Sequence, residues 1–360
     1  MTRVLGARIG DAGYEIHLGA GLLAGLGPMW AERAAGPNVL LVSDANLADH
    51  AARAALSLRA AGLVVAEAVV APGESSKSFA ELERIGRLAA TAGIRRADAV
   101  IGLGGGVVGD LAGFVAASYQ RGVRLVHVPT TLLAMVDSAI GGKTGIDIPE
   151  GKNYIGAIWQ PEMVVMDMET LSTLPARELS CGFAEVIKYG LLDSVELFEL
   201  VEGWPALPGP ADRLAGLIEM CIAHKLRVVA ADERDLGIRA SLNLGHTVGH
   251  GIEAAAGYER YRHGEAISLG LLAALRIAES HCGLAPEWRR RTRAVLDRHD
   301  LPVVLHPEVV TDAVVAAMGR DKKASAGGLN MVGVGSPGDV RLGVNPAPEE
   351  IVAAIEELRG

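Results

Sequence analysis

The chain is poor in the residues that would build a disulfide scaffold or a nucleic-acid surface. Cysteine occurs three times, at Cys181, Cys221 and Cys282. An odd, scattered set without a C-x-x-C pair offers no disulfide framework and suits a reducing cytoplasm. Aromatic residues make up only 4%, which argues against stacking on bases. Excess basic charge is also missing. The formal net charge of −9 disfavours a broad polyanion-binding face and leaves only small anions, held where a few Lys and Arg converge. Apolar runs are too short or too charged to span a bilayer, and the first eight residues lack a signal-peptide core. These absences predict a cytoplasmic protein with no nucleic-acid and no membrane partner. What is plentiful is glycine, 45 residues, within a chain that is half hydrophobic and 21% charged, the balance of a globular enzyme. A length of 360 residues exceeds one ordinary core and predicts two domains.

Hydrophobic patterning divides the chain near Leu174-Pro175. Before it, apolar runs at 14–18, 38–43, 63–70, 99–101, 125–128 and 163–166 read as strands. The stretch 78–91 repeats apolar residues at helical spacing through Phe79, Leu82, Ile85 and Leu88. Strands separated by helices predict a mostly parallel sheet covered on both sides. After the boundary, helical periodicity dominates at 177–200, 211–231, 241–256, 265–282 and 286–299. The expected architecture is an α/β nucleotide-binding domain over 1–174 and an all-α metal- and substrate-binding domain over 175–360. The site is expected between the halves.

The segment GLGGGVVGD at 102–110 directly follows an apolar run. Glycines at a strand exit let backbone N–H groups approach a phosphate, and the following helix adds its positive end. Asp44 and Thr130 also follow predicted strands, where ligands of such sheets gather. In NLGHTVGH at 243–250, His246 and His250 stand four apart on one helix face, a geometry that suits zinc. His263 precedes a further helix. Glu185 and Lys188 sit one turn apart in an otherwise apolar helix. An intrahelical ion pair is the plain reading there, but burial favours engagement with a metal or substrate. One carboxylate and two imidazoles would make a three-donor site with an open position. The run SAIGGKTG at 138–145 lacks the upstream glycine of a nucleotide-binding lysine loop. Lys143, Lys152 and Asn153 in glycine loops instead suit the anionic oxygens of a small ligand. Arg121, Lys225, Arg239 and the pair Lys322-Lys323 are further basic candidates, each a solvated charge when read singly. Asp137 is a cap or a holder of a ligand hydroxyl.

Taken in order, these motifs resemble the 3-dehydroquinate synthases, within the sugar phosphate cyclases. The matching strings are GGGVVGDLAGF (104–114), YQRG (119–122), PTTLLAMVDS (129–138), GGKT (141–144), GKN (151–153), LPARE (174–178), GFAEVIKYG (182–190), LNLGHTVGH (242–250) and HGE (263–265). They cover essentially the whole chain. Met135 and Ala139 stand where that family commonly has glutamine and serine. The resemblance implies a lyase that binds NAD and a divalent metal, zinc or cobalt, and that works as a homodimer. It implies metal ligands at Glu185, His246 and His263, replacing the His246–His250 pairing that spacing suggests. It implies NAD contacts at Asp44, Glu74, Lys77, Gly104, Gly105, Gly106, Val107, Val108, Gly109, Asp110, Thr130, Thr131, Lys143, Lys152, Thr170, Leu171, Ser172 and Thr173.

The substrate implied is an anionic sugar phosphate, 3-deoxy-D-arabino-heptulosonate 7-phosphate. Its carbon-5 alcohol is oxidised by NAD, phosphate is eliminated, the ketone is reduced again, and an intramolecular aldol closes the carbocycle. Lys143, Lys188, Lys225, Arg239 and Lys323 would hold carboxylate and phosphate. Asn153 and Asn243 would add neutral contacts, Asp137 a hydroxyl contact, and His250 a proton. Arg121 would reach the ligand of the partner subunit. Two other readings stand beside this one: an aminodehydroquinate or deoxy-inosose synthase, and a glycerol-dehydrogenase-like metal oxidoreductase. Arg239 and Asn243 suit a substrate carboxylate, which deoxy-inosose synthases do not bind.

Overall fold

The computed structural model describes residues 2–319, 324–325 and 328–360. Lys322 and Lys323, one of which is expected at the substrate, lie outside the described residues. The chain forms two compact units, Met1–Leu174 and Pro175–Gly360.

The first unit contains strands β1 (Arg3–Ile9), β2 (Ala12–Gly19), β3 (Asn38–Asp44), β4 (Val64–Val70), β5 (Ala99–Gly104), β6 (Arg124–Pro129), β7 (Lys143–Ile148), β8 (Gly151–Ile158) and β9 (Met163–Asp167). Its helices are α1 (Leu22–Ala31), α2 (Ala48–Ala60), α3 (Phe79–Thr91) and α4 (Gly106–Ser118). Seven strands form one sheet in the order β1-β2-β9-β6-β5-β3-β4. Only the β1–β2 pairing is antiparallel. The central strands are continuous apolar runs because both faces are covered. Val39 and Leu41 of β3 point to a core with Leu26, Trp30 and Leu58 of α1 and α2. Leu40 and Val42 point the other way, toward Ile85, Val108 and Leu111 of α3 and α4. Alternation along one strand therefore feeds two cores.

Residues 143–158, read from sequence as glycine loops, instead form the separate β7–β8 hairpin. Glycine hides its pattern and also makes it possible. Gly145 pairs with Gly156, and a Cβ on Gly156 would lie 2.0 Å from the Thr144 carbonyl oxygen.

The second unit holds α5 (Ala176–Asp193), α6 (Val195–Glu202), α7 (Ala211–Ala231), α8 (His246–Ala255), α9 (His263–His281), α10 (Pro286–Arg298), α11 (Thr311–Met318) and α12 (Pro348–Glu356). Two short antiparallel hairpins accompany the helices, Ala324–Ser325 with Gly328–Leu329 and Met331–Val334 with Val340–Val344. The single helix expected over 177–200 is broken at Ser194. That residue is extended (φ −168°, ψ 165°), and its side chain caps α6 by accepting from the Leu197 N–H. The helix expected from 241 begins at His246, after a 3-10 turn over Ile238–Asn243. Gly245 makes the change of direction with φ 78°. A Cβ there would also lie 2.9 Å from the Leu271 backbone nitrogen. Among the described residues, no helix is long and apolar enough to cross a membrane.

Candidate active site

In the second unit, α5 is buried from Leu179 to Leu192, and two charged residues lie within that stretch. Glu185 is 0% exposed and Lys188 1%. The Lys188 Nζ lies 2.5 Å from Glu185 Oε2. The other oxygen, Oε1, is 3.4 Å from His246 Nε2 and 3.3 Å from His263 Nε2. His246 opens α8 and His263 opens α9, so both rings stand at helix starts.

The opposite ring nitrogens are already committed. His246 Nδ1 lies 3.1 Å from the Leu244 carbonyl oxygen, which can only accept. His263 Nδ1 lies 3.3 Å from Glu253 Oε2. With the Nδ1 protons so used, neutral rings turn their Nε2 lone pairs toward a carboxylate oxygen. Like-signed density would then meet in a dry place at Oε1, which has no hydrogen-bond partner among the described residues, while Oε2 is paired with Lys188. Burial raises the Glu185 carboxyl, but Lys188 and the two imidazoles outweigh it and hold it well below the usual range. Burial pushes His246 down to about 4. His263 goes the other way. Burial would lower it, but Glu185 and Glu253 raise it to about 10, so a proton relieves the repulsion there. A divalent cation relieves it more completely. One carboxylate and two imidazoles, with donor atoms within 4.8 Å of one another, fit zinc or cobalt with a coordination position left open.

His250 lies four residues beyond His246 on the same face of α8. Its ring centroid is 5.3 Å from that of His246 and 5.9 Å from that of His263. It is exposed and joins a neighbouring set with Glu253 and His263. Glu185 thus converges with His246 and His263, which spacing along one helix does not indicate. Lys225 of α7 and Arg239 of the 3-10 turn are 5% and 3% exposed. The Arg239 guanidinium donates to the Glu233 carbonyl, and its backbone N–H to Asp232 Oδ2. Asn243 donates to the Ala240 carbonyl oxygen at 3.0 Å.

In the first unit, Asp44, Gly104, Thr130 and Thr170–Thr173 lie at or just beyond the carboxyl ends of β3, β5, β6 and β9, the edge where such sheets hold ligands. Gly104 ends β5, and α4 begins at Gly106, so the Gly105, Gly106 and Val107 N–H groups stand at a helix N-terminus. A Cβ on Gly104 would lie 2.6 Å from the Val108 side chain, and one on Gly106 3.2 Å from Ser138 Oγ. Asp44 accepts from the Asn46 N–H at 2.8 Å, and burial raises its carboxyl. Thr131 Oγ1 caps Ala134 at 3.1 Å. Leu171 is buried, Ser172 and Thr173 are exposed, and Thr173 Oγ1 is 2.8 Å from His50 Nε2. Asp137 lies in the π-helical turn Ala134–Ser138.

Lys77 is the hub of this unit's charges. It is 3% exposed, and its Nζ lies 2.9 Å from Asp110 Oδ2, 3.1 Å from Glu74 Oε1 and 3.7 Å from Asp147 Oδ1. It also donates to Asn153 Oδ1. Burial lowers the lysine, but Asp110 and Glu74 outweigh this and raise it above its ordinary value. Asp110 is pushed up by burial despite Lys77. Asn153, expected at the substrate, is thus gathered with the residues expected at the nucleotide. It holds φ 56° on β8, and its N–H donates to Asp147 Oδ1 at 2.7 Å. Lys152 precedes it and lowers Glu74. Lys143, at the start of β7, is exposed, as is Arg121, which has φ 63°. Sequence reasoning missed Asp147 and Glu253. Glu253 was open to it, since it lies seven residues beyond His246 on the same helix face.

Comparison with known proteins agrees across both units. The family model for the 3-dehydroquinate synthase N-terminal part matches residues 67–181, and that for the C-terminal part matches 182–324. The 3-dehydroquinate synthase of Symbiobacterium thermophilum is 45% identical over 359 residues, covering 98% of this chain and 99% of its own. Among solved structures, a 2-deoxy-scyllo-inosose synthase complexed with carbaglucose-6-phosphate, NAD+ and Co2+ has a TM-score of 0.90 at 24% identity over 99% of each chain, a likeness of fold. The 2-epi-5-epi-valiolone synthase ValA of Streptomyces hygroscopicus subsp. jinggangensis 5008, with NAD+ and Zn2+ bound, has a TM-score of 0.86 at 26% identity over 98% of each chain.

Proposed function

Because this chain belongs to the 3-dehydroquinate synthase family, we propose the following division of its residues over the reaction. The enzyme converts 3-deoxy-D-arabino-heptulosonate 7-phosphate to 3-dehydroquinate and phosphate. The observation that carries the reading is the buried Glu185 carboxylate: Lys188 pairs with one oxygen, and the other has no hydrogen-bond partner among the described residues while two imidazoles face it.

Glu185, His246 and His263 hold a divalent cation, zinc or cobalt. Asp44, Glu74, Lys77, the 104–110 loop, Thr130, Thr131, Lys143, Lys152 and the 170–173 turn would hold NAD. When bound, the nicotinamide supplies a reversible oxidation at carbon 5 and the cation polarises the neighbouring hydroxyls. Lys143, Lys188, Lys225, Arg239 and Lys323 bind the carboxylate and phosphate and stabilise charge as the phosphate leaves. Asn153 and Asn243 orient the sugar through neutral contacts, and Asp137 holds a hydroxyl. His250, exposed beside the cation ligands, moves a substrate proton. Arg121 serves the partner's ligand in a homodimer. Sparse cysteine without C-x-x-C spacing supports a cytoplasmic setting.

The test is phosphate release from the heptulosonate phosphate with the carbocyclic product identified. Stoichiometric phosphate with no lasting NADH absorbance is expected. NADH accumulating one-for-one with product would make this a simple dehydrogenase.

A further inference from the structure

We infer that Glu253 is the positioning residue of the cation site, fixing the His263 ring so that its Nε2 faces Glu185 and strengthening that nitrogen as a donor. The inference rests on the ligand assignment above. Helix α8 carries His246, His250 and Glu253 at the starting residue, four on and seven on, which is one face of the helix. Glu253 is 4% exposed. Its Oε2 is 3.3 Å from His263 Nδ1.

That contact calls for a proton on Nδ1. It leaves Nε2, 3.3 Å from Glu185 Oε1, to face the cation. The two histidines need different amounts of help. His246 has 12% side-chain exposure and is locked by the carbonyl of Leu244, two residues earlier. His263 is 30% exposed, opens its own helix, and takes its anchor from a different helix. A neutral carbonyl suffices for the first ring. The second gains from a full negative charge, which orients the imidazole and also raises its basicity toward a metal.

The experiment is a cobalt titration against a chromogenic chelator, with the visible spectrum of the bound cobalt recorded. It compares the wild type, Glu253→Gln, Glu253→Leu and, as control, His263→Ala. Glu253→Gln keeps the shape and loses the charge, and about 10-fold weaker cobalt binding is expected. Glu253→Leu loses the hydrogen bond too, and the expected loss approaches about 100-fold, with a shifted cobalt spectrum. A merely structural role would lower the melting temperature of the metal-free protein and leave affinity and spectrum alone. Should Glu253→Leu fail to fold, Glu253→Gln decides. Wild-type cobalt affinity in the Glu253 variants, with loss in His263→Ala, overturns the inference. Wild-type affinity in His263→Ala overturns the ligand assignment and the inference with it.

Discussion

Replacing Lys188 with methionine tests the electrostatics of the buried carboxylate most directly. The change removes the cation 2.5 Å from Glu185 Oε2 and leaves a carboxylate of 0% exposure. Metal-free protein has two ways to respond. Glu185 stays charged, and an orphaned buried charge costs about 3–5 kcal/mol. Alternatively it takes a proton. Keeping a carboxyl of ordinary pKa 4.5 neutral at pH 7 costs about 3.4 kcal/mol, from about 2.5 pH units at about 1.36 kcal/mol each.

The cheaper route sets the ceiling. The charged His263 ring supplies part of the lost attraction, so the expected loss at neutral pH is roughly 2–3 kcal/mol. The sign with pH follows from the direction of each shift. In the wild type, Glu185 is held below its ordinary value. Its stabilisation is present above that value and fades as pH falls through the folded one. In the variant Glu185 is raised, so the gap between the proteins widens with pH by at most about 1.4 kcal/mol per unit from about pH 5 to about pH 7. A divalent cation gives Glu185 a replacement charge, so saturating zinc should shrink the gap below about 1 kcal/mol. Urea unfolding of both proteins, with chelator and with zinc, measures all of this. A metal-free gap under about 0.5 kcal/mol, or one that zinc leaves unchanged, refutes the reasoning.

Glu185→Gln, His246→Ala and His263→Ala should each lose bound metal and activity while the helical circular dichroism persists; full metal occupancy by elemental analysis in any of them removes that residue from the ligand set. Lys77→Met should cost about 3–5 kcal/mol in urea unfolding, because Asp110, Glu74 and Asp147 lose their shared cation, and should weaken NAD in a fluorescence titration. Lys77 is raised above its ordinary value, so its contribution is complete below that value and should fade only at strongly alkaline pH; wild-type stability with methionine there would contradict the hub. Mixing inactive Arg121→Ala with inactive His246→Ala should restore some activity through mixed dimers. Subunit exchange without recovered activity would place the action of Arg121 within its own chain.

The parallel sheet was legible in the sequence because strands buried on both faces must be short apolar runs, and β3, β5, β6 and β9 are such runs. Its strand exits were legible too in their glycines, and at Gly104 a Cβ would crowd the Val108 side chain at 2.6 Å. The β7–β8 hairpin was not. Its glycines erase the alternation that marks a strand, and their close pairing exists only when both segments are present. The break at Ser194 was hidden for a related reason: helical periodicity continues across it, and only the cap on Leu197 ends one helix and begins the next. The chemical types at the cation site follow from sequence, a carboxylate in an apolar helix and histidines in glycine-punctuated motifs. Spacing alone does not bring Glu185, His246 and His263 together, because α5 lies well before the consecutive helices α8 and α9; at the sequence level only the family resemblance grouped them. Periodicity relates residues within one helix, as with His246, His250 and Glu253. Only tertiary packing sets the distance between helices, and with it the ring nitrogens that face Glu185 and the carboxylate that stands behind His263.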